Sequence, residues 1–228
     1  MSLTRRQIIE AGAATGALAL VSSSPLLAQV IRPVAGPAVR PVPAPFPVAA
    51  RPRVIVDAVV DPRIVARARA AFDRHRSQIA HGDIVGIADY SKASAEPRFY
   101  LLDTFTGRVT SHLVAHGRGS DPGHTGFLQL FSNRFGSEAS SNGAYVTSEY
   151  YHGKYGRSMR VRGLDFSNSN AEARAIVVHT AWYAEPNVVS ETGRLGRSEG
   201  CFALPHRSLQ ETLARLGPGR FLYADRVA

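Results

Sequence analysis

The sequence predicts a mainly β domain with flanking helices, an α+β fold. Beyond residue 80, short apolar runs alternate with the turn formers Asp, Asn and Gly over most of the chain, as in strands joined by turns. One segment before these runs and one after them repeat apolar residues at helical spacing instead. About 175 residues follow residue 53, enough for one domain with a full core.

The first helix is expected to begin at Pro62, because Asp61 provides an N-cap and proline suits the first helical position. Apolar residues recur at helical spacing as far as Ile79, so the helix is expected to end near His81-Gly82. His75 is interpreted as a partly buried packing residue of this helix.

The strands follow, and a hairpin around Thr106-Gly107 joins the second to the third. A second helix is expected from Pro205 to Leu216, with Gly217 as its stop. The strands are predicted at residues 84–89, 99–103, 108–116, 144–147, 158–164, 175–178 and 221–224.

A long loop is predicted from Gly117 to Gly143. Loops of this length without their own periodicity are usually functional or disordered. Order is favoured here, because four apolar residues can hold the loop against the domain. These are Phe127, Leu128, Leu130 and Phe131.

Two histidines, His112 and His116, would face the same side of the third strand, because side chains alternate along a strand. That spacing could hold a metal, but the sequence places no third ligand. A structural role is therefore the favoured interpretation.

The amino terminus predicts a targeting signal. Arg5-Arg6 precede an apolar stretch, and small residues suited to cleavage surround Ala28, which indicates a twin-arginine signal peptide over residues 1–28. A membrane anchor is the alternative, but the apolar stretch is shorter than the roughly 20 residues that a spanning helix needs. Residues 29–53 carry seven prolines and are expected to form an extended linker. The folded domain is then expected over residues 54–228.

The chain is basic, with a formal net charge of +9, of which the leader carries +1. An exported basic protein suits an anionic partner such as the cell wall or a membrane surface. Nucleic acid is not expected as a partner. An exported protein is not expected to meet it, and the arginines are scattered without a basic–aromatic motif.

Cys201 is the only cysteine of the chain. Exported cysteines tend to be paired in disulfides, so an unpaired one is either buried and inert or retained for the reactivity of its thiol. Gly, Ser and Arg residues flank Cys201, which argues against an apolar burial site. The sequence therefore favours a reactive thiol.

A cysteine nucleophile needs a base, an orienting group for that base and donors for an oxyanion. His179, at the end of the apolar run 175–178, is the candidate base that favours the thiolate. Thr180 could orient its ring through a carbonyl or a hydroxyl. The backbone N–H groups of Gly200 and Cys201 could stabilise an oxyanion.

These residues resemble the L,D-transpeptidases of bacterial cell walls, the YkuD-type family, and the branch called murein L,D-transpeptidase catalytic domain. The hallmark of that family is a histidine followed, after a gap, by Ser-x-Gly-Cys, which here is His179 and Ser198-Glu199-Gly200-Cys201. The resemblance covers about residues 61–224. Further segments resemble that branch, namely His116-Gly117, Phe131-Ser132-Asn133, Gly136-Ser137, Ser140-Ser141-Asn142-Gly143, Gly153-Lys154-Tyr155-Gly156, Gly163-Leu164 and Gly196-Arg197-Ser198.

The resemblance implies an L,D-transpeptidase-like β-sandwich with the catalytic cysteine in a groove. Cys201 would attack a peptidoglycan stem peptide, form a thioester and release D-alanine, and an amine of another stem would complete a 3–3 crosslink. Water as the acceptor would make the protein an L,D-carboxypeptidase. The resemblance requires no metal or organic cofactor, and we expect a periplasmic monomer that meets a membrane only during export.

The sequence departs from the better-known branch in the gap before Cys201, which is longer by a few residues, and at Glu199 and Ala203, where that branch has histidine and arginine. Arg197 is the candidate replacement for the missing positive charge. Ser198 is a candidate for a direct catalytic role and equally for shaping the turn. The candidate substrate-binding residues are His116, Asn133, Ser141, Gly143, Tyr145 and Arg197, for which loop packing and hydrogen bonding is an equally weighted interpretation.

Trp182 and Tyr183 could wall the groove or simply pack against the sheet. Two other function classes stay open at this stage. One is a cysteine amidase or peptidase that acts on other periplasmic amides. The other is a non-catalytic module that binds the wall through its positive charge.

Overall fold

The computed structural model describes residues 60–227. The predicted signal peptide, the proline-rich linker and the first six residues of the predicted domain lie outside this range. Among the described residues, no helix is long and apolar enough to cross a membrane.

The first helix, α1 (Pro62–Arg74), begins where the sequence indicates. The Asp61 carboxylate accepts a hydrogen bond from the Arg63 N–H at 2.8 Å, and Pro62 occupies the first turn. The helix ends at Arg74, before the predicted end. The helical spacing of the apolar residues extended to Ile79, which is indeed buried. Ile79, however, lies in extended backbone after a short 3₁₀ turn and not in the helix.

Eight strands form one mixed sheet in the order β3-β2-β1-β8-β4-β5-β6-β7. The pairs β1–β8 and β6–β7 are parallel, and the others are antiparallel. Two further helices are α2 (Pro186–Thr192) and α3 (His206–Leu216). The strands are β1 (His81–Asp89), β2 (Phe99–Asp103), β3 (Val109–His112), β4 (Gly143–Gly153), β5 (Gly156–Gly163), β6 (Val177–Thr180), β7 (Phe202–Leu204) and β8 (Arg220–Asp225).

Helices cover both faces of the sheet. Leu209, Leu213 and Leu216 of α3 enter one hydrophobic core, and Ile64 and Ala68 of α1 enter another. Neighbouring residues of β8 divide between these cores, with Phe221 under α1 and Leu222 under α3. Because alternate side chains of a strand point to opposite faces, the two cores lie on opposite faces of the sheet.

The mainly β fold with a few helices is confirmed, but the described strands are not divided into the two sheets of a sandwich. The carboxy-terminal strand β8 pairs with both β1 and β4 and so joins the two halves of the domain into one hydrogen-bonded sheet. A sequence shows the strands but not this long-range pairing, which is why the expected sandwich is replaced by a helix–sheet–helix arrangement.

Three strand predictions need correction. β3 ends at His112 and not at residue 116, and β4 continues to Gly153, so the predicted turn over 151–157 shrinks to the hairpin turn at 154–155. β6 begins at Val177, because Ala175 has a positive φ of 55° that no strand can contain. The sequence interpretation missed α2 and β7 entirely.

The predicted long loop is ordered, but fewer apolar residues hold it than expected. Leu128 is buried and Phe131 is partly buried against the core under α3. Phe127 and Leu130 are exposed instead. Backbone hydrogen bonds contribute to the order of the loop, such as that from Gln129 N to Ser120 O at 2.8 Å.

Candidate active site

The parallel pair β6–β7 brings the two halves of the predicted catalytic pair to the same end of the sheet. Val178 lies beside Phe202, and His179 lies beside Ala203. Val178 and Phe202 enter the core under α3, so the alternating residues His179 and Ala203 face the other side. Cys201 immediately precedes β7, two positions behind the partner of His179.

The ring of His179 has a defined orientation. Its Nδ1 donates to the carbonyl oxygen of Thr180 at 2.8 Å, so the proton of a neutral ring lies on Nδ1 and Nε2 keeps a lone pair. Tyr155, in the β4–β5 turn, stacks on the ring with centroids 4.3 Å apart. The group that orients the ring is the carbonyl of Thr180 and not its hydroxyl.

Burial lowers the pKa of His179 below its ordinary value of 6.5. The hydrogen bond to the Thr180 carbonyl raises that pKa, and the positive charge of Lys154 lowers it further. The imidazole is therefore neutral at neutral pH. A neutral ring with a free lone pair on Nε2 can accept a proton.

The thiol of Cys201 faces the turn before β6. Its Sγ donates to the carbonyl oxygen of Ala175 at 3.6 Å, and the backbone N–H of Val177 donates to the sulfur. Burial raises the pKa of the Cys201 thiol to about 11, opposed by the Val177 N–H and reinforced by the charge of Glu199. The thiol is therefore protonated at neutral pH.

Within residues 60–227, no hydrogen bond joins the His179 ring to the Cys201 thiol. The expectation that the imidazole holds the sulfur as a thiolate is wrong for this resting state. Desolvation disfavours both charged forms, and the thiol proton has a carbonyl acceptor of its own.

The loop that carries Cys201 has tightly defined geometry. The Ser198 hydroxyl donates to Cys201 O at 2.8 Å and accepts from Gly200 N at 3.2 Å. Gly200 has a φ of 110°, and a Cβ there would lie 2.6 Å from Ala139 O. Ser198 thus shapes the turn, and the Gly200 N–H that was expected to stabilise an oxyanion is engaged inside that turn.

The same loop is bonded to the segment after β3. Ser198 N donates to His116 O, and Arg118 N donates to Ser198 O, both at 2.8 Å. The His116 side chain is buried beside Arg98, 2.7 Å from its guanidinium, and lies 3.4 Å from the Asp121 carboxylate. Burial, together with the charge of Arg98, lowers the pKa of His116 to about 3. This placement fits a packing role for His116 and not a substrate contact.

Arg197 does not face the thiol. Its guanidinium donates to the carbonyl oxygens of Asp121 and Pro122 and fastens the long loop. The positive charge that does act on the sulfur belongs to Arg174, which the sequence interpretation missed. The prediction that Arg197 replaces the missing positive charge is therefore wrong.

Arg174 is fixed by four hydrogen bonds. Its Nη1 donates to Ser132 O at 2.8 Å and to Ser141 Oγ at 2.6 Å. Its Nη2 donates to Ser137 Oγ at 3.2 Å and to Ala139 O at 2.6 Å. Arg174 thus ties the long loop to the turn whose next residue, Ala175, accepts the thiol hydrogen bond.

The remaining predicted substrate-binding residues belong to the framework. Tyr145 is buried, and its hydroxyl donates to Ser141 O at 2.8 Å. Gly143 has a φ of 119° and packs against Asp165. Ser141 contacts Arg174, and Asn133 bonds to the 166–170 turn. Of the predicted substrate-binding residues, only Asn133 and Ser141 lie in the loop segment 132–141, to which the Arg174 side chain is hydrogen-bonded.

The sequence interpretation did not consider Tyr155 as a site residue and left Tyr183 either as a wall of the groove or as a packing residue. Tyr155 stacks on His179, as described above. Burial raises the pKa of Tyr183, and the negative charges of Tyr155 and of a Cys201 thiolate would raise it further. Trp182 is 77% exposed and does not pack against the sheet.

The two histidines considered as metal ligands separate. His112 Nε2 lies 3.8 Å from Glu211 Oε2, whereas His116 lies with Arg98 and Asp121. Within the described residues, no group of three or more His, Cys, Asp or Glu side chains could hold a metal ion.

Comparison with known proteins gives a family match. The model of a YkuD-type family described as "L,D-transpeptidase catalytic domain" matches residues 57–224. A search of the curated proteins found no match.

Among solved structures, an L,D-transpeptidase from Mycobacterium smegmatis is 14% identical and has a TM-score of 0.38, with 63% of this chain and 58% of that chain covered. L,D-transpeptidase 3 from Mycobacterium tuberculosis, in complex with a faropenem-derived adduct, is 12% identical with a TM-score of 0.40, with 63% and 60% covered. The L,D-transpeptidase of Xylanimonas cellulosilytica is 15% identical with a TM-score of 0.39, with 69% and 68% covered. The chain spans about three-fifths of the length of the first two structures.

Proposed function

Because the chain belongs to the YkuD-type family of L,D-transpeptidase catalytic domains, we propose that it is a cysteine-dependent enzyme that crosslinks peptidoglycan stem peptides. The observation that carries this proposal is the pair of adjacent parallel strands, of which β6 contains His179 and β7 begins directly after Cys201. Thr180 completes the set of nucleophile, base and orienting group.

In the first half of the reaction, Cys201 Sγ attacks the carbonyl carbon between the third residue of the stem and its terminal D-alanine. His179 Nε2 takes the thiol proton as the carbon–sulfur bond forms. The tetrahedral intermediate collapses, the carbon–nitrogen bond breaks, and His179 returns the proton to the departing amine. D-alanine leaves, and the stem remains on Cys201 as a thioester.

In the second half, an amine of another stem attacks the thioester carbonyl and passes a proton to His179. The carbon–sulfur bond breaks, the thiolate regains that proton, and a 3–3 crosslink results. Water in place of the amine would give an L,D-carboxypeptidase product from the same thioester.

The resting geometry favours proton transfer during the attack over a preformed thiolate. Both members of the pair are neutral, and the thiol is bonded to Ala175 O. Substrate entry must therefore turn the thiol from the Ala175 carbonyl toward His179. The Arg174 charge and the Val177 N–H then stabilise the negative charge that develops on sulfur.

The developing oxyanion needs hydrogen-bond donors. We assign this role to the Cys201 N–H together with the Gly200 N–H. The bond from Gly200 to Ser198 Oγ is long at 3.2 Å, so an oxyanion can replace it as the acceptor.

Cys201 and His179 are proposed to lie in a groove that receives the stem peptide. Tyr155 stacks on His179 and would form one side of the groove, and the long loop that Arg174 holds would form another. Residues 1–28 are proposed to direct export by the twin-arginine route, residues 29–53 to act as the spacer and residues 54–228 to form a monomeric catalytic domain in the periplasm.

The test uses intact-mass spectrometry of the purified domain with a carbapenem, and chromatography of a tetrapeptide stem incubated with the protein. We expect one covalent adduct on Cys201, release of D-alanine and formation of a 3–3 crosslinked dimer, all absent in Cys201→Ala. Cleavage of the stem without dimer would assign a carboxypeptidase. A Cys201→Ala variant that still forms the adduct and still releases D-alanine would contradict the proposal.

A further inference from the structure

A recess lies between the long loop and the turn over residues 166–170. It has a volume of about 490 Å³ and is lined by residues 131–134, 142, 166, 167 and 170, and we call it the asparagine groove. Its lining includes three asparagines, two serines, an arginine and two phenylalanines. Its chemistry is therefore both polar and aromatic.

The walls of the asparagine groove are ordered before any ligand arrives. Asn133 Nδ2 donates to Phe166 O at 2.9 Å and to Ser169 Oγ at 3.0 Å. Asn170 returns two bonds of 3.0 Å to the side chain and the backbone of Asn133. Because these bonds hold the two walls together, binding would cost little conformational entropy.

Three side chains of the groove are available to a ligand. The ring of Phe166 is 95% exposed. Within residues 60–227, the side chains of Arg134 and Asn142 make no hydrogen bond or ion pair, and both can donate hydrogen bonds. The groove thus offers one aromatic face and two polar groups.

This combination suits a sugar ring. A pyranose has an apolar face of C–H groups that packs on an aromatic ring, and its hydroxyl and acetamido groups exchange hydrogen bonds with amide and guanidinium groups. A purely apolar ligand would leave Arg134 and Asn142 desolvated without partners. An extended peptide can bind by adding a strand to an unpaired sheet edge, but the edges of this sheet are β3 and β7, so the loops of the groove do not offer that mode.

We propose that the asparagine groove binds an N-acetylated glycan strand, and this proposal rests on the proposed action on peptidoglycan. The groove shares a wall with the thiol site, because Ser132 O in the groove accepts a hydrogen bond from Arg174 Nη1 and the next residue, Ala175, accepts the thiol. A glycan held there presents its attached stem peptide next to Cys201.

The experiment is calorimetric titration of the wild-type domain with the tetramer of β-1,4-linked N-acetylglucosamine. We expect saturable binding that weakens about five- to tenfold in Phe166→Ala, the scale of one lost aromatic contact. Asn142→Ala is expected to weaken it as well, and the de-acetylated tetramer is expected to bind less tightly than the acetylated one.

Phe105→Ala is the matched control, because Phe105 is 65% exposed and lies in the β2–β3 turn outside the groove. Its affinity for the tetramer is expected to equal that of the wild type. Because the Phe166 side chain is almost fully exposed, its removal should leave the thermal unfolding temperature unchanged, which separates lost binding from misfolding.

Absence of saturable binding, or equal affinity in wild type and Phe166→Ala, would overturn the glycan proposal. A loss of affinity in Phe166→Ala for a free tetrapeptide stem but not for the glycan would overturn it too, in favour of a peptide site. The carbapenem adduct on Cys201 is measured on the same preparation. Adduct formation without glycan binding refutes only this inference, and glycan binding without an adduct refutes only the proposed chemistry.

Discussion

The thiol of Cys201 donates to the carbonyl oxygen of Ala175 over 3.6 Å, and Ala175 itself has a left-handed φ of 55°. A non-glycine residue in that conformation is strained by roughly 1–3 kcal/mol, and such strain concentrates at functional sites. The strained carbonyl holds the proton that the proposed reaction must move to His179. In the proposed reaction, the thiol is therefore expected to become reactive only when substrate arrives.

The first prediction concerns the pH dependence of thiol alkylation. Because burial raises the pKa of Cys201 to about 11, the rate of reaction with iodoacetamide should keep rising through pH 9 and 10 as the thiolate fraction grows. The urea-unfolded protein is the control and should reach its plateau near the ordinary cysteine pKa of about 8.5. A folded-state plateau below pH 8 would show a preformed thiolate and would refute the neutral pair.

The second prediction concerns Arg174. Arg174→Gln removes the positive charge beside the sulfur and the guanidinium that donates to Ala139 O, so both the acylation rate and the stability should fall. The expected loss in free energy of unfolding is about 1–3 kcal/mol. Arg174→Lys keeps the charge without the planar fork and should recover part of the acylation rate, but little of the stability.

Acylation by a carbapenem and urea unfolding measure the two effects of Arg174. Arg207→Gln, on an exposed position of α3, is the control and should leave both unchanged. If Arg174→Gln acylates at the wild-type rate, the charge has no role in the reaction of the thiol.

The third prediction concerns Gly200. Gly200→Ala places a Cβ 2.6 Å from Ala139 O at a φ of 110°, so the loop must shift and carry Cys201 with it. We expect a loss of acylation of at least roughly tenfold, since a misplaced nucleophile loses its near-attack geometry. Gly193→Ala is the matched variant, because Gly193 also has a positive φ, 76°, but has no atom within 4 Å of the added carbon. Equal activity of both variants would show that the close approach at Gly200 is unimportant.

The fourth prediction concerns acid stability. The pKa of His116 falls from 6.5 to about 3 on folding, so between these values the unfolded chain binds a proton that the folded chain does not. Stability should therefore decrease as the pH falls from 6.5 toward 3, by up to about 1.4 kcal/mol per pH unit from this one group. Urea unfolding across that range measures the slope, and His116→Gln should flatten it. An unchanged slope in the variant would assign the acid sensitivity to other groups.

Local signals in the sequence predicted local structure well. The N-cap Asp61 marked the start of α1, and Gly217 marked the end of α3. Both signals act on backbone only a few residues away. The sequence also drew attention to Cys201 and His179, the lone cysteine and a histidine at the end of an apolar run, and the structure places them on neighbouring strands. The orienting carbonyl of Thr180 adjoins His179 in the chain and needs no long-range information.

The environment of the thiol was not predictable, because it is built from distant segments. Arg174 is 42 residues from Ser132 and 33 from Ser141, and nothing in its own neighbourhood indicates these contacts. The left-handed conformation of Ala175 is equally hidden, since alanine gives no sign of a positive φ. The single sheet depends on the pairing of the last strand with β1 and β4, which strand patterns do not show.

The central claim is that His179 removes the thiol proton of Cys201 during the attack, and the most direct test is the pH-dependent rate of acylation by a carbapenem in wild type and His179→Gln. Burial lowers the pKa of His179, so the wild-type rate should fall only below pH 6.5, as the ring becomes protonated. His179→Gln should acylate about 10²–10⁴-fold more slowly at pH 7 and lose this acid limb, while the exposed-site control His152→Gln behaves as wild type. A His179→Gln variant that acylates Cys201 at the wild-type rate would contradict the account.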